Sequence, residues 1–297
     1  MKPRKISEKM MDAFLKGKLK PILDAVKIDD TLDLELRGNF VNIYYRGGSL
    51  FKITEENDDY TIYFNSQYCL TENKLLDEYP SIEKAVADMP FYKQAMDWWF
   101  NKHPKYEREF QQVIARENNY IGNISRGTDY YIADIEYANK VDDADKAARF
   151  DMVALKWLSN GAIRKDITKV SLALIEVKYG SGALQGKAGV SEHLKDFQSF
   201  LSDTESLKAF CEDMSAVFKQ KCRLGLVDGL QEKQFGVTIS SENPEVIFIF
   251  ANHDPDSKIL DKVLQCNELK NCTFTVMIAN ASSMGYCLYA DQFTKIN

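Results

Sequence analysis

Residues 172–179 read Leu-Ala-Leu-Ile-Glu-Val-Lys-Tyr, and this stretch constrains the fold more than any other. Its apolar residues form a run continuous enough for a central strand buried on both faces, yet Glu176 and Lys178 interrupt it two residues apart. Because side chains alternate along a strand, these two charges share one face while Val177 points to the other. Burying either charge alone is costly, so the pair must be mutually compensated, bound to something, or placed at an open strand end. Gly180 follows at once and favours the open end.

Length and composition bound the class of protein. The chain has 297 residues, enough for one large domain or two ordinary ones, and 45% hydrophobic residues support a proper core. It has no run of eighteen apolar residues, and its first residues lack the apolar stretch of a secretory signal. The six cysteines are scattered without a Cys-x-x-Cys pair, which is typical of reduced core residues. We therefore expect a soluble, cytoplasmic protein without membrane contact.

The charge is unevenly distributed. A formal net charge of −6 has the wrong sign for a protein that binds nucleic acid over its whole surface. Residues 160–195, however, carry six Lys or Arg against three acids, whereas residues 21–100 carry fifteen acids against seven Lys or Arg. Any contact with nucleic acid is therefore expected near residues 172–179 rather than in residues 21–100.

The first hundred residues predict a separate unit. An amphipathic pattern within residues 1–20 predicts a helix, and residues 31–69 alternate as four short strands separated by Gly-Asn, Gly-Gly and Asn-Asp-Asp turns. A bridging helix is predicted from Pro80 to about Lys102. We assign residues 1–102 to a helix, an antiparallel β-meander and this bridging helix, and residues 103–297 to a second domain. The tyrosine-rich strands could form a face for a base or a protein partner, although packing is the simpler interpretation.

A helix is predicted over residues 105–119, with Tyr106, Phe110, Val113 and Ile114 as its apolar stripe. Glu117 follows Phe110 by seven residues, about 20° around the helix, and is therefore expected to point inward. Glu107 lies at the margin of the stripe. An inward acid at a helix end is a candidate for function, or is simply emerging into solvent.

Three strands are then predicted over residues 129–138, 148–157 and 170–179. In the second strand Asp151 shares a face with apolar residues, so a second acid enters a buried face. Asp151 and Glu176 can meet across neighbouring strands. Two adjacent carboxylates repel unless a cation lies between them, and oxygen ligands suit Mg²⁺ or Mn²⁺. The sequence therefore predicts a metal site.

This order of elements resembles the PD-(D/E)xK nuclease superfamily, which has the restriction-endonuclease-like fold. The resemblance lies in a helix with an inward acid, a strand, a strand with Asp151, a strand with Glu176-Val177-Lys178, and a further helix. It implies that Asp151 corresponds to the motif aspartate, Glu176 to the second acid, Lys178 to the lysine, and Glu117 to the acid on the preceding helix. The motif is short, so its specificity comes from the ordered context.

The resemblance covers about residues 104–290 and implies both fold and activity. The fold would be α/β (α+β), with a mixed central sheet flanked by helices; strands at 245–253, 273–280 and 284–291 are predicted to complete it. The activity would be metal-dependent hydrolysis of phosphodiester bonds, in DNA rather than RNA. Asp151, Glu176 and the carbonyl of Val177 would hold Mg²⁺ or Mn²⁺, and Lys178 would orient or deprotonate the attacking water. Phe150 stands where the proline of the motif would be.

The loop over residues 181–189 lies between a strand and a helix but is not a phosphate-binding P-loop. Its glycines enclose three residues rather than four, and Ala188 stands where a Ser or Thr would have to reach Mg²⁺. Lys187 could still contact a phosphate of bound nucleic acid.

The helix over residues 191–201 carries two further candidates for substrate binding. Gln198 lies on its inward stripe and resembles the glutamine that some branches of the superfamily have there; the alternative is a satisfied core amide. His193 lies at the edge of the stripe and is otherwise a structural histidine.

Other classes find less material in the sequence. The three histidines are far apart, and no Gly-x-Ser-x-Gly motif is present. Asp134 and Glu136 could form the carboxylate pair of a glycosidase, but they alternate regularly with apolar residues, as on a half-exposed strand. The main alternative is a catalytically inactive module of the same fold that binds nucleic acid, or a protein partner through the N-terminal region. Whether two copies pair as a homodimer stays open.

Overall fold

Two β-sheets organise the part of the chain that the structure describes, one antiparallel and four-stranded, the other mixed and six-stranded. The computed structural model describes residues 2–57, 59–69, 76–120, 127–139, 148–160, 164–165, 167–254, 256–280, 288, 290 and 293–296. Over these residues no helix has both the length and the apolar character needed to cross a membrane.

The first sheet is the predicted antiparallel meander. Two helices precede it, α1 (Glu8–Lys16) and α2 (Lys20–Ile28), and its strands follow in chain order as β1 (Leu32–Leu36), β2 (Phe40–Tyr45), β3 (Gly48–Glu56) and β4 (Asp59–Tyr63). Gly47, between β2 and β3, has a φ of +71°, and a Cβ built there would lie 2.5 Å from the backbone of Arg108. Only glycine fits both this left-handed turn and the close approach to the helix that contains Arg108.

The predicted bridging helix is two helices, α3 (Ile82–Ala87) and α4 (Met89–Lys102). The break falls at Asp88, and Pro90 lies in the first turn of α4. Proline has no backbone N–H and its ring clashes with the preceding turn, so it ends one helix and is tolerated at the start of the next. The prediction of a single helix was therefore wrong at Pro90.

The second sheet begins after α5 (Tyr106–Asn119). Its strands lie in the order β10-β9-β8-β7-β6-β5, with β5, β6 and β7 antiparallel, β8 and β9 parallel to β7, and β10 antiparallel at the edge. A mixed central sheet, as predicted, is thus confirmed. Its remaining elements are β5 (Tyr130–Asn139), β6 (Ala148–Lys156), β7 (Lys169–Tyr179), α6 (Val190–Ser202), α7 (Thr204–Leu224), β8 (Thr238–Ala251), α8 (Ile259–Val263), α9 (Asn267–Lys270), β9 (Thr275–Asn280) and β10 (Thr294–Lys295). The strand predicted at 284–291 falls largely outside the described residues.

Helices cover both faces of the mixed sheet. On β7, Leu172 and Leu174 belong to the core that includes α6 and α7, whereas Ile175 and Val177 belong to a second core that includes Ile114 of α5. This alternation is the one expected for a strand with period two. It directs Glu176 and Lys178 toward the side of α6.

Buried charges connect the meander to the mixed sheet. Lys221 of α7 is fully buried, and its Nζ lies 2.6 Å from Oε1 of Glu35 on β1. Arg37, just after β1, donates to the carboxylate of Asp134 on β5 and to the carbonyl of Ile135 at 2.7 Å. One continuous apolar core also includes residues from both regions. The domain boundary at residue 102 stays a prediction, but the two regions pack against each other.

Candidate active site

The candidate site forms where strands β6 and β7 separate. Their last ladder pair is Met152 with Ile175, while β7 stays paired with β8 up to Tyr179. The next positions outward on the two strands are Asp151 and Glu176, so register places these acids opposite each other. Beyond the ladder, the N–H of Val177 donates to Oδ2 of Asp151 at 2.8 Å. A buried N–H must find an acceptor, and here a carboxylate replaces the missing strand partner.

Glu176 has two close partners. Its Oε1 lies 2.6 Å from Nζ of Lys178 and 3.0 Å from Nε2 of His193 on α6. Glu176 and Lys178 are each only 3% exposed. The two charges therefore compensate each other within the protein, and His193 completes the contacts of the carboxylate.

These groups open into a cavity of about 310 Å³. Its charged lining consists of four carboxylates, those of Glu107, Glu136, Asp151 and Glu176, and three cations, those of Arg108, Arg149 and Lys178. Carboxylates thus outnumber cationic side chains in a confined space. A divalent cation would reverse that imbalance.

Burial perturbs the titration of the site. Desolvation raises the pKa of Asp151 to about 7, opposed by the N–H of Val177, and raises the pKa of Glu176 well above its ordinary range, with the charge of Asp151 adding to the effect. Desolvation lowers the pKa of His193 to about 4, so this imidazole is neutral at neutral pH and its 3.0 Å contact with Glu176 is not a salt bridge. Two acids that resist ionisation side by side either hold protons or require a cation.

The donor set fits a hard divalent ion. Asp151, Glu176 and the carbonyl of Val177 offer oxygen ligands, which Mg²⁺ and Mn²⁺ prefer. Within the described ranges, no group of three or more His, Cys, Asp or Glu side chains is arranged to hold a metal ion. Mg²⁺ is commonly bound through one or two carboxylates, with water and substrate phosphate completing its shell. A pair of carboxylates with a backbone carbonyl matches that mode.

The acid from α5 in the cavity is Glu107, not Glu117. Oε2 of Glu107 accepts the N–H of Tyr179 at 3.2 Å, directly after the Glu-x-Lys segment. Glu117 lies ten residues further, about 15 Å along the helix axis, is 39% exposed, and contacts Arg116 at 3.3 Å. The structure therefore does not bring Glu117 to the site.

The buried face of α5 contains polar residues that the hydrophobic periodicity of the sequence predicts to be exposed. The side-chain amide of Gln112 donates to the carbonyls of Thr31 and Tyr44, and that of Asn119 donates to the carbonyl of Ile132. Amides that satisfy backbone groups can face inward at little cost. The buried face is therefore rotated away from the predicted stripe, and Tyr106 is exposed.

Glu136 also belongs to the site and was missed. Tyr137 pairs with Phe150 and Ile135 with Met152, so Glu136 lies opposite Asp151. Its φ is +48°, a left-handed conformation that non-glycine residues seldom adopt, and such strain concentrates at functional sites. A ladder irregularity earlier in β5 also breaks the alternation. Regular alternation was the ground for setting Glu136 aside, and it does not hold there.

Two predicted substrate contacts lie outside the cavity. The amide of Gln198 donates to Ser202 and Thr273 at 3.0 Å each and accepts the N–H of Thr273 at 3.2 Å. This is the satisfied amide that the sequence left as the alternative. Lys187 lines a neighbouring groove of about 590 Å³, one residue before Ala188, which lines the cavity.

Comparison with known proteins leaves the site to be interpreted from its own chemistry. No family model matches the chain, and neither a curated protein nor a solved structure matches it significantly. The resemblance to PD-(D/E)xK nucleases therefore depends on the motif residues and their order in the sequence alone.

Proposed function

We propose that the protein is a metal-dependent nuclease that hydrolyses phosphodiester bonds, in DNA in preference to RNA. The observation that carries the proposal is the convergence of Asp151, Glu176 and Lys178 in one cavity, at the end of the β6–β7 ladder. The order α5, β5, β6, β7, α6, with β8 parallel to β7, gives further support because it follows the order that the motif resemblance requires. The DNA preference rests on that resemblance alone.

Each residue has a role in phosphodiester hydrolysis. Asp151, Glu176 and the carbonyl of Val177 would hold Mg²⁺ or Mn²⁺, which supplies hydroxide near neutral pH and stabilises charge on the phosphate. Lys178 uses one ammonium proton toward Glu176, and the other two remain to orient the attacking water and to stabilise a phosphate oxygen. The oxygen of that water would form the new bond to phosphorus as the bond from phosphorus to the ester oxygen breaks. The attacking water would lose one proton to solvent, and the departing ester oxygen would take up one proton from solvent.

Two neighbours would hold the reacting groups in place. His193 is neutral and fixes one oxygen of Glu176 through a 3.0 Å contact. Glu107 accepts the N–H of Tyr179 and so fixes the end of the strand that carries Lys178. Groups of this kind keep a reactive constellation in its productive geometry.

The direct test is cleavage of single-stranded and duplex DNA and RNA with and without Mg²⁺ or Mn²⁺. We expect the native protein to cut only when the divalent ion is present, and Asp151→Ala to lose both cutting and the calorimetric signal for Mn²⁺. The absence of cutting in all substrates, together with no Mn²⁺ signal from the native protein, would remove the proposal. The inactive binding module would then be the better description.

Glu107 and Glu117 provide a matched pair on one helix. Glu107→Ala is expected to lower the cleavage rate by about 10- to 100-fold, because the N–H of Tyr179 loses its acceptor and the strand end that carries Lys178 is no longer fixed, whereas Glu117→Ala should leave it unchanged. Both substitutions remove one negative charge from α5. A difference between their cleavage rates therefore cannot be caused by the loss of charge in general. Single-turnover rates measure the difference, and equal rates for the two variants would contradict the role of Glu107.

A further inference from the structure

An exposed tyrosine and a half-buried one form an aromatic pair, and each directly adjoins in sequence a residue that lines the cavity. Tyr106, the first residue of α5, is 54% exposed, and its ring stacks on Tyr179 with centroids 5.6 Å apart and planes inclined by 24°. Phe110 contacts the ring of Tyr179 edge-on, with centroids 6.3 Å apart. Tyr106 thus presents an aromatic surface to solvent on a ring held by packing from below.

The tyrosine pair is fixed to the site on both sides. Tyr106 directly precedes Glu107 in α5, and Tyr179 directly follows Lys178 in β7. The hydrogen bond from the N–H of Tyr179 to Glu107 closes the connection at 3.2 Å. The ring of Tyr106 is therefore held at a constant position relative to the cavity.

Cationic side chains accompany the aromatic surface. Arg108 and Arg149 line the cavity and are exposed, with Nε of Arg108 lying 2.8 Å from Glu136. Cations that follow a phosphate backbone, together with an aromatic ring on which a base can stack, are the combination that recognises single-stranded nucleic acid.

We propose that Tyr106 is a stacking platform for an unpaired base next to the scissile phosphate, and that the substrate is therefore single-stranded. The inference rests on the proposed nuclease function. Arg108 and Arg149 contact the phosphates of the same strand. In a duplex each base face is already stacked, so occupying the platform requires a base to leave the stack. Duplex substrates bind more weakly for that reason.

The test measures binding without cleavage. Fluorescence anisotropy with labelled single-stranded DNA, single-stranded RNA and duplex DNA of one sequence is recorded in EDTA. We expect single strands to bind more tightly than the duplex, and Tyr106→Ala and Tyr106→Leu to weaken single-strand binding by about 5- to 150-fold, while Tyr106→Phe binds like the native protein. Comparing the DNA and RNA arms identifies which single strand is preferred.

Tyr79→Ala is the matched control. Tyr79 is 60% exposed and contacts Tyr63 in the acidic N-terminal region, with ring centroids 5.4 Å apart and planes inclined by 43°. Its removal should leave binding unchanged. Equal affinity for duplex and single strand, or native affinity in both the alanine and leucine variants of Tyr106, would overturn the platform.

Cleavage assays distinguish a failure of the stacking platform from a failure of the proposed nuclease function. Metal-dependent cutting of duplex DNA that is unaffected by Tyr106→Ala overturns the platform and keeps the nuclease. Tight binding of single strands that requires Tyr106, without cutting under any metal, keeps the platform and overturns the nuclease.

Discussion

Lys178→Met is expected to lower the single-turnover cleavage rate by about 10²- to 10⁴-fold, the usual contribution of a positioned group that handles protons. Methionine keeps the length and apolar stem of the side chain but loses the ammonium that lies 2.6 Å from Glu176. The same change should strengthen Mn²⁺ binding, because the ammonium and a metal ion would compete for the carboxylate of Glu176. Rapid-quench kinetics and isothermal titration calorimetry measure the two effects.

The control for this variant is Lys195→Met on α6. Lys195 is exposed and pairs with Glu192 at 2.7 Å, outside the cavity lining. The Lys195→Met variant should cut nucleic acid and bind Mn²⁺ like the native protein. A Lys178→Met variant that cuts at the native rate would show that this lysine has no role in the mechanism, whether or not the affinity for Mn²⁺ changes.

Lys221→Met is expected to lower the free energy of unfolding by about 3–5 kcal/mol, the cost of removing one partner from a buried ion pair. Lys221 is fully buried, and Glu35 would keep its carboxylate at 0% exposure without the ammonium that lies 2.6 Å away. Burial already raises the pKa of Glu35, and the nearby charges of Asp33 and Asp134 act in the same direction. Urea denaturation of the native and variant proteins measures the loss.

Two further variants test the cause. Lys219→Met changes an exposed lysine on the same helix and should alter stability little. Combining Lys221→Met with Glu35→Leu removes both charges, so the double variant should be more stable than Lys221→Met alone. If the double variant lost the sum of the two single effects, the pair would not be coupled and packing alone would explain the loss.

The central strands could be predicted because their physics is local. In β6 and β7 the apolar residues form continuous runs, and the acid in each strand, Asp151 or Glu176, visibly interrupts that pattern. The resulting meeting of Asp151 and Glu176 needed only the assumption that consecutive strands pair, which they do. The N-terminal meander followed from alternating strands and turn residues, whereas the mixed sheet was expected from the motif resemblance.

The rest of the site depends on tertiary contacts. Glu107 lines the cavity and Glu117 does not, because polar side chains such as that of Gln112 lie on the buried face of α5. A prediction from hydrophobic periodicity places such amides on the exposed face and therefore assigns the wrong inward face to the helix. Glu136 enters the cavity through a left-handed backbone conformation in β5. No local preference of glutamate predicts that conformation.

The approach of Gly47 to the backbone of Arg108 has a consequence for how this chain can vary. The hairpin between β2 and β3 lies in the sheet without cavity residues, yet it touches α5 beside Glu107 and Arg108, where a Cβ would lie 2.5 Å from the main chain. Enlarging this turn by one methyl group would push the helix end, and the cavity wall with it. Substitutions that alter catalysis can therefore arise in a region whose own sequence shows no chemistry, and the two sheets must evolve together.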